Sequence, residues 1–195
     1  MKLVDLNNQV NKLNLDIFSI DDLRKLFPKD LNIKVQIKRL VDKRNLLRVT
    51  RGIYKLPNTS LDLEKTSTQI YSPSYVSFES ALSKYGVINQ GIYKITLATT
   101  RHSKKIELLN TPCEYVQIKP SLFFGFNLVK NVYLAEAEKA FLDEIYLIVL
   151  GKKTINTTEW NTVNLNKQKI DKYLKKYPLG IKNKALEILY KQKIK

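Results

Sequence analysis

The sequence predicts an α+β protein of two domains, and three observations lead to this expectation. Helical patterns fill the first 45 residues and are followed at once by two short strands. The middle of the chain alternates short strands with helices, and the last 45 residues give short basic helices. With 44% hydrophobic residues among 195, the chain has enough apolar side chains to build an ordered core.

Three helical segments open the chain. A weakly amphipathic stretch covers Leu3–Leu15. Ser19 then suits a helix N-cap, and Pro28 ends the helix that follows it. The third segment carries an apolar stripe at the spacing of one helix face, formed by Ile33, Ile37, Leu40 and Val41. Asn45 is the predicted residue at the C-terminal end of this helix.

The segment LLRVTRGIYKLP, residues 46–57, predicts two short strands joined by a tight turn. Arg51 lies at the basic tip, and the outward alternating positions add Arg48 and Lys55. Three helices followed by such a hairpin have the element order of a winged helix-turn-helix, in which the hairpin is the wing. The sequence therefore predicts a DNA-binding domain over residues 1–57.

The predicted contacts with DNA come from the outer face of the third helix and from the wing. In this motif the third helix enters the major groove, where Lys and Arg pair with guanine and Gln pairs with adenine. Cations of the hairpin contact the backbone. The predicted DNA-binding residues are Lys34, Gln36, Lys38, Arg39, Arg48, Thr50, Arg51 and Lys55. An ordinary solvated helix face is the alternative interpretation of the four helix residues.

The distribution of charge indicates a polyanionic partner for part of the surface. The formal net charge is +16. Residues 1–60 hold 13 Lys and Arg against 6 Asp and Glu, residues 61–150 hold 9 against 9, and residues 151–195 hold 12 against 3. The cations are thus segregated to the two ends of the chain. A Lys-rich proteome, which makes many proteins basic without a binding role, is the alternative.

Residues 58–71 are polar and are predicted to be a linker, which leaves residues 72–195 as a mixed α+β C-terminal domain ending in basic helices. In this domain Ser77 suits the N-cap of a helix that ends at Gly86. The next strand is predicted to be half-buried, with inward positions Tyr93, Ile95 and Leu97. A long helix in LAEAEKAFLDEIYLIVLG precedes the basic tail.

The sequence offers no convincing set of catalytic or metal-binding residues. A single cysteine, Cys113, and a single histidine, His102, exclude the usual zinc sets, and a lone cysteine suits a reducing cytoplasm. Gly91–Ile95 matches half of the GIY-YIG nuclease signature, but the other half is missing. The carboxylates of the long helix suit a metal, yet its dipole and a Lys139–Asp143 pair explain them more simply. We expect a cytoplasmic protein that is not an enzyme and holds no cofactor or metal.

Four segments of the C-terminal domain carry an ordered pattern. They are YVSFESALSKYGVI, YKITLATTR, YVQIKPSLFFGF and LAEAEKAFLDEIYL. This pattern resembles the AbiEi family, the antitoxins of type IV toxin–antitoxin pairs. LLRVTRGIYKLP resembles the wing of the winged-helix domain that the family places first, and NLNKQKIDKYLKKYP resembles its closing basic helix. One departure is Ala137, where the family usually has a proline, and this changes a helix N-terminus.

The resemblance implies two roles for the chain. The winged helix would bind inverted repeats in its own promoter and repress transcription. The C-terminal domain would counter a nucleotidyltransferase-like toxin, with no stable complex required, and our candidate residues for this role are Lys172, Lys175 and Lys176. Two alternatives stay open: a winged-helix regulator whose C-terminal domain only senses or dimerises, and an enzyme. No run of residues is long and apolar enough to predict a membrane partner.

Overall fold

The computed structural model of the protein describes residues 2–89, 91, 93–154 and 156–191. The α+β class is confirmed, because the described residues form eight α-helices and two β-sheets. They divide into two compact units. The first comprises the residues up to Thr66 together with Ile106–Asn110, and the second comprises Ser67–Lys105 and the residues from Thr111 onwards. None of the described helices has the length and apolar character needed to cross a bilayer.

The first unit combines three helices with a small antiparallel sheet. Its elements are α1 (Leu3–Lys12), β1 (Phe18–Ser19), α2 (Ile20–Leu26), α3 (Ile33–Asp42), β2 (Leu47–Thr50) and β3 (Ile53–Lys55). The strand order is β1-β3-β2, so β1 adds a third strand to the β2–β3 hairpin. The three predicted helices and the predicted hairpin are all present.

Local sequence explains how the helices of the first unit form. Ser19 and Asp22 build a capping box at the start of α2. The Ser19 Oγ accepts from the Asp22 N–H at 3.1 Å, and Asp22 Oδ2 accepts from the Ser19 N–H at 2.8 Å. Ile33 and Ile37 of α3 are buried, as the apolar stripe predicts. The core of the unit is formed by Leu6, Val10, Phe18, Leu23, Ile33, Ile37 and Leu46.

The second unit is built on most of a six-stranded mixed sheet; Ile106–Leu108, the end of one of its strands, are among the residues assigned to the first unit. Its strands are β4 (Ser74–Val76), β5 (Ile95–Thr99), β6 (Lys104–Leu108), β7 (Thr111–Gln117), β8 (Phe126–Val129) and β9 (Val132–Ala135), in the spatial order β6-β7-β5-β4-β9-β8. β5 runs parallel to β7 and β4 runs parallel to β9, whereas the β4–β5 and β8–β9 pairs are antiparallel. The remaining helices are α4 (Leu63–Ile70), which crosses the division between the units, α5 (Phe78–Lys84), α6 (Ala137–Val149), α7 (Lys167–Leu174) and α8 (Leu179–Lys191).

Helix α6 is the centre of the second unit. The side chains of Phe141, Leu142 and Ile145 are fully buried, and α5, α7 and α8 all contact this helix. Ten consecutive residues, from Glu138 to Leu147, are buried, so no side of this stretch faces water. A helix enclosed in this way must also bury its charged residues, and their partners are therefore decisive for the fold.

The prediction of a half-buried strand at β5 is wrong. All five residues of β5 are buried, including Thr96, whereas Tyr93 precedes the strand and is 91% exposed. β5 lies between β4 and β7, and both of its faces are covered. A central strand of this kind does not show the alternation that distinguishes a core face from a solvent face.

Two helix boundaries and the predicted linker also differ from expectation. The residue that leaves α3 in the left-handed region is Arg44, with a φ of 56°, rather than Asn45. Ser77 precedes α5 but its side chain makes no capping hydrogen bond. Within residues 58–71 the chain forms α4, where the buried residues are Thr66, Ser67 and Thr68. Because these buried residues are polar, an apolar pattern could not identify the helix.

Candidate functional site

The outer face of α3 presents cations to solvent. Burial of Ile33 and Ile37 turns Lys34, Lys38 and Arg39 outward, and all three side chains are exposed. The first turn of α3 has no acidic residue. In the part of the chain that the structure describes, no carboxylate forms an ion pair with any of the three. These side chains are therefore available to an external anion.

Gln36, the fourth residue predicted on this face, is half-buried. Its Nε2 donates a hydrogen bond to Asp30 Oδ1 at 2.8 Å, which ties the side chain to the segment before α3. The other side-chain atom, Oε1, is buried and has no hydrogen-bond partner among the described residues. The Gln36 side chain would have to break its hydrogen bond to Asp30 before both the NH2 group and the oxygen of its amide could bond to a base.

The β2–β3 hairpin carries two further exposed cations, Arg48 and Arg51. Arg48 Nε donates to the carbonyl oxygen of Thr50 at 3.3 Å, and the Thr50 side chain is half-buried. Arg51 lies at the turn next to Gly52, whose φ of +80° gives the tight reversal. A Cβ added at Gly52 would meet nothing within 4 Å, so the tip is open to a close approach by a ligand.

The prediction that Lys55 faces outward is wrong. Only 7% of this residue is exposed, and its ammonium group donates to three backbone carbonyls. The acceptors are the oxygens of Leu56 at 3.3 Å, Pro57 at 3.1 Å and Thr59 at 2.7 Å. A register shift between Arg48 and Thr50 interrupts the strict alternation on which the prediction rested. Lys55 closes the turn after β3 and does not add to the exposed charge.

We call the five exposed cations of α3 and the hairpin the cationic face: Lys34, Lys38, Arg39, Arg48 and Arg51. The structure adds Lys43 and Arg44, two exposed residues directly after α3 that the sequence reasoning left out. The sequence could have indicated both residues, because they lie at the end of the predicted third helix, next to the hairpin. Such a surface has the donors needed for phosphate and guanine acceptors.

The candidate cations of the tail lie on and just after α7 in the second unit. Lys172, Lys175 and Lys176 are all exposed. The ammonium group of Lys176 lies 4.0 Å from the centroid of the Phe124 ring, a cation–π contact. The structure thus presents three accessible lysines here, one of which rests on an aromatic side chain.

A buried ion pair joins Lys139 and Asp143 on α6, as the sequence predicts. The hydroxyls of Tyr75 and Ser77 donate to Asp143 Oδ2, each at 2.9 Å. The Tyr177 hydroxyl donates to Asp143 Oδ1 at 3.0 Å and accepts from the Lys139 ammonium at 2.8 Å. Burial lowers the pKa of Lys139, and the charge of Asp143 opposes this effect. We call these five residues the Lys139–Asp143 network.

The other carboxylates of α6 are also buried. Glu138 lies in the first turn, where the helix dipole favours a negative charge, whereas Glu144 lies in the middle of the helix and needs a different partner. Glu144 has a fully buried side chain and forms an ion pair with Lys153 at 2.6 Å. Burial raises the pKa of Glu144 to about 7, although the positive charge of Lys153 works in the opposite direction. Among the described residues, no group of three or more His, Cys, Asp or Glu side chains has the arrangement of a metal site.

The remaining residues that the sequence offered as catalytic candidates form no catalytic arrangement within the part of the chain that the structure describes. Cys113 is buried, and burial raises the pKa of its thiol to about 12. His102 is exposed. Ile92, inside the Gly91–Ile95 motif, lies outside the described residues. Comparison with known proteins adds no relative, since no protein-family model and no curated protein matches the chain.

Proposed function

We propose that this protein binds duplex DNA through its first unit, as a winged helix-turn-helix, and represses its own promoter. The observation that carries the proposal is the joint exposure of α3 and the β2–β3 hairpin, which bear the cationic face in the element order α1-β1-α2-α3-β2-β3. In a winged helix the third helix and the hairpin are the two parts that meet DNA.

The chemistry of the cationic face assigns different tasks to its members. Lys38 and Arg39 stand on α3, where they would enter the major groove and donate to guanine O6 and N7. Arg51 at the hairpin tip would contact phosphate or the minor groove, which positions the protein without reading sequence. The solvated state of all three side chains favours binding, because no ion pair with another described residue has to be broken first.

We further propose that the protein is the antitoxin of a type IV toxin–antitoxin pair, with the second unit countering a nucleotidyltransferase-like toxin. This part of the proposal rests on the resemblance of the four ordered segments to the AbiEi family. Lys172, Lys175 and Lys176 are accessible and remain the candidate residues for this role. No enzymatic step and no cofactor is part of the proposed function.

The DNA-binding proposal is tested by fluorescence anisotropy with labelled DNA from the region upstream of the gene. We expect one protomer per half-site of an inverted repeat. Arg39→Ala should weaken specific binding by about 1–3 kcal/mol and relax the preference at one base position. Arg51→Ala should weaken binding to all sequences alike. Lys12→Ala, which removes an exposed lysine from α1, is the matched control and should change neither.

The antitoxin proposal is tested in cells that carry the neighbouring downstream gene. Co-expression of this protein should restore growth if that gene encodes the toxin. The Arg39→Ala, Arg51→Ala double variant should lose promoter repression but keep the rescue, because both substitutions lie in the first unit. Repression without any rescue would favour the alternative, a winged-helix regulator whose second unit senses or dimerises.

A further inference from the structure

The second unit holds a cleft of about 560 Å³ that the proposed function does not use. It lies beside β5 and β7, and the end of α6 and the residues after it close one side. Its charged lining consists of Lys94, Lys104, Lys105, Lys152, Lys153 and Glu114. We call this the lysine cleft. Its volume falls in the range of small-molecule sites, about 300–1,000 Å³.

The two inner lysines of the cleft are held by carboxylates. Lys94 lies 3.0 Å from Glu114 and 3.4 Å from Glu79. Lys153 lies 2.9 Å from Glu79 and 2.6 Å from Glu144. Their side chains are only 38% and 18% exposed, so these ammonium groups have fixed positions. The inner part of the cleft is therefore a preorganised set of charges.

The outer lysines are held less tightly. Lys105 pairs with Glu114 at 3.3 Å, but 81% of its side chain is exposed. Lys104 lies 5.1 Å from the centroid of the Tyr71 ring. Lys152 is exposed, and within the described residues no carboxylate forms an ion pair with it. The outer side of the cleft thus has donors that are ready to turn towards a ligand.

The charges of the cleft do not balance. Its five lysines face three carboxylates, those of Glu79, Glu114 and Glu144, which leaves an excess of two positive charges when all three are ionised and a larger one when Glu144 holds a proton. Glu144 Oε2 is buried and has no hydrogen-bond partner among the described residues. The Ser103 hydroxyl, also in the lining, accepts from the Gln117 N–H at 2.9 Å and keeps its own proton for donation. An excess of two charges with free donors is the complement of a dianion.

Backbone strain marks the same place. Phe78 lines the cleft and has a φ of +55°, in the left-handed region that is unfavourable for a residue with a side chain. The next residue is Glu79, whose carboxylate joins Lys94 and Lys153. Such strain persists where the surrounding structure holds it, and it is concentrated at binding sites.

We propose that the lysine cleft binds a small phosphate monoester through Lys152, Lys153, Lys104 and the Ser103 hydroxyl. A monoester carries close to two negative charges at neutral pH and three acceptor oxygens, which matches the excess charge and the donors of the cleft. The two sources of this group that fit the volume are a sugar phosphate and a nucleoside monophosphate. The proposal does not depend on DNA binding, because the cationic face belongs to the first unit.

Isothermal titration calorimetry of the full chain at low salt tests the proposal, with AMP, ribose 5-phosphate, inorganic phosphate and adenosine as the probes. We expect binding of the three phosphate-bearing probes and none of adenosine. Equal affinity for AMP and ribose 5-phosphate would identify the phosphate alone as the recognised group. Tighter binding of AMP than of ribose 5-phosphate would show that the cleft recognises the base as well. The Arg51→Ala variant, altered only at the DNA-binding surface, should bind AMP as the unmodified protein does.

Matched charge variants locate the site. Lys152→Ala should weaken AMP binding about tenfold or more, since it removes a charge-assisted hydrogen bond from an exposed position that the fold does not need. Lys152→Arg should restore most of the affinity. Lys182→Ala removes the same charge from an exposed position on α8 outside the cleft and should leave the affinity unchanged.

Three results would overturn the assignment. The first is a folded protein that binds none of the phosphate-bearing probes, and the second is adenosine binding as tightly as AMP. The third is a Lys182→Ala loss as large as that of Lys152→Ala, which would show attraction by net charge alone. A short single-stranded RNA without terminal phosphates is a further probe. If it bound more tightly than AMP and its binding depended on Lys152, the ligand of the cleft would be a polyanion and not a small phosphate monoester.

Discussion

The cationic face of the first unit and the buried lysines of the second unit are used in opposite ways. In the first unit the cationic face stands in water, and the structure shows no internal ion pair for its members among the described residues. In the second unit Lys139 is fully buried beside Asp143, and Lys153 bridges Glu79 and Glu144. The same residue type therefore serves an external partner on the cationic face and the fold itself where it is buried.

The difference has an energetic basis. An exposed lysine contributes little to folding, because water and salt screen its interactions. A buried lysine loses its hydration and is tolerated only with a carboxylate and further hydrogen bonds around it. Substitutions on the cationic face should therefore weaken binding of the external partner. Substitutions of the buried lysines should instead lower the free energy of unfolding.

The largest effect is expected at Lys139. Lys139→Ala leaves Asp143 buried without its counter-charge, and we expect a loss of about 3–5 kcal/mol in the free energy of unfolding. Urea denaturation followed by circular dichroism measures it. Lys38→Ala, the matched exposed lysine, should stay within about 0.5 kcal/mol of the unmodified protein. Similar losses of unfolding free energy for Lys139→Ala and Lys38→Ala would contradict the distinction between buried and exposed lysines.

The next effect concerns pH and Glu144. Burial raises the pKa of this carboxyl from 4.5 to about 7, so the folded state holds the proton more tightly than the unfolded chain does. The unfolding free energy should therefore fall as pH rises from about 4.5 to about 7, by up to roughly 3 kcal/mol from this group. Glu144→Gln cannot ionise, and its stability relative to the unmodified protein should rise between pH 5 and pH 8.

Denaturation at those two pH values checks this prediction. Glu107→Gln alters an exposed carboxyl on β6 and serves as the control, with no pH-dependent gain expected. A Glu144→Gln variant whose relative stability is the same at pH 5 and pH 8 would contradict the buried, proton-holding carboxyl described here.

A smaller effect is expected at the capping box of α2. Ser19→Ala removes the hydroxyl that accepts from the Asp22 N–H, and we expect a loss of about 1 kcal/mol in the unfolding free energy. The Ser19 backbone N–H and, after it, the Ser19 hydroxyl, which donates to Asp22 Oδ2 at 2.7 Å, lower the pKa of Asp22. Ser19→Ala removes the hydroxyl's bond to the carboxylate, so the part of the loss that comes from this bond should disappear below about pH 4. Thermal unfolding of the unmodified protein and of Ser19→Ala at pH 7 and pH 3 measures the loss and its dependence on pH. Equal losses of stability at the two pH values would argue against a role of the Asp22 carboxylate in the capping box.

Several elements were predictable because their signals are local. The N-cap at Ser19, the stripe through Ile33 and Ile37, and the Lys139–Asp143 pair all depend on residues within one helix turn or two. The exposure of Lys38 follows from the stripe alone. In these cases the spacing of side chains along one helix contains the answer.

The failures come from contacts that the spacing or alternation of side chains does not reveal. Lys55 is buried because a bulge shifts the register of the hairpin and the following turn supplies three carbonyls. β5 is covered on both faces because it pairs with β4 and β7, which are distant in sequence. The ion pairs of the lysine cleft likewise join residues as far apart as Glu79 and Lys153.

The salt dependence of DNA binding tests the central claim most directly, that the exposed cations of the first unit meet a polyanion. For duplex DNA carrying the upstream inverted repeat, the plot of log affinity against log salt concentration should have a slope of about −4 to −5 per protomer. Arg51→Ala should reduce that slope by about one, because one phosphate contact is lost. Lys12→Ala should leave it unchanged. A slope near zero, or equal slopes for the unmodified protein and the Arg51→Ala variant, would contradict the assignment of the cationic face to DNA.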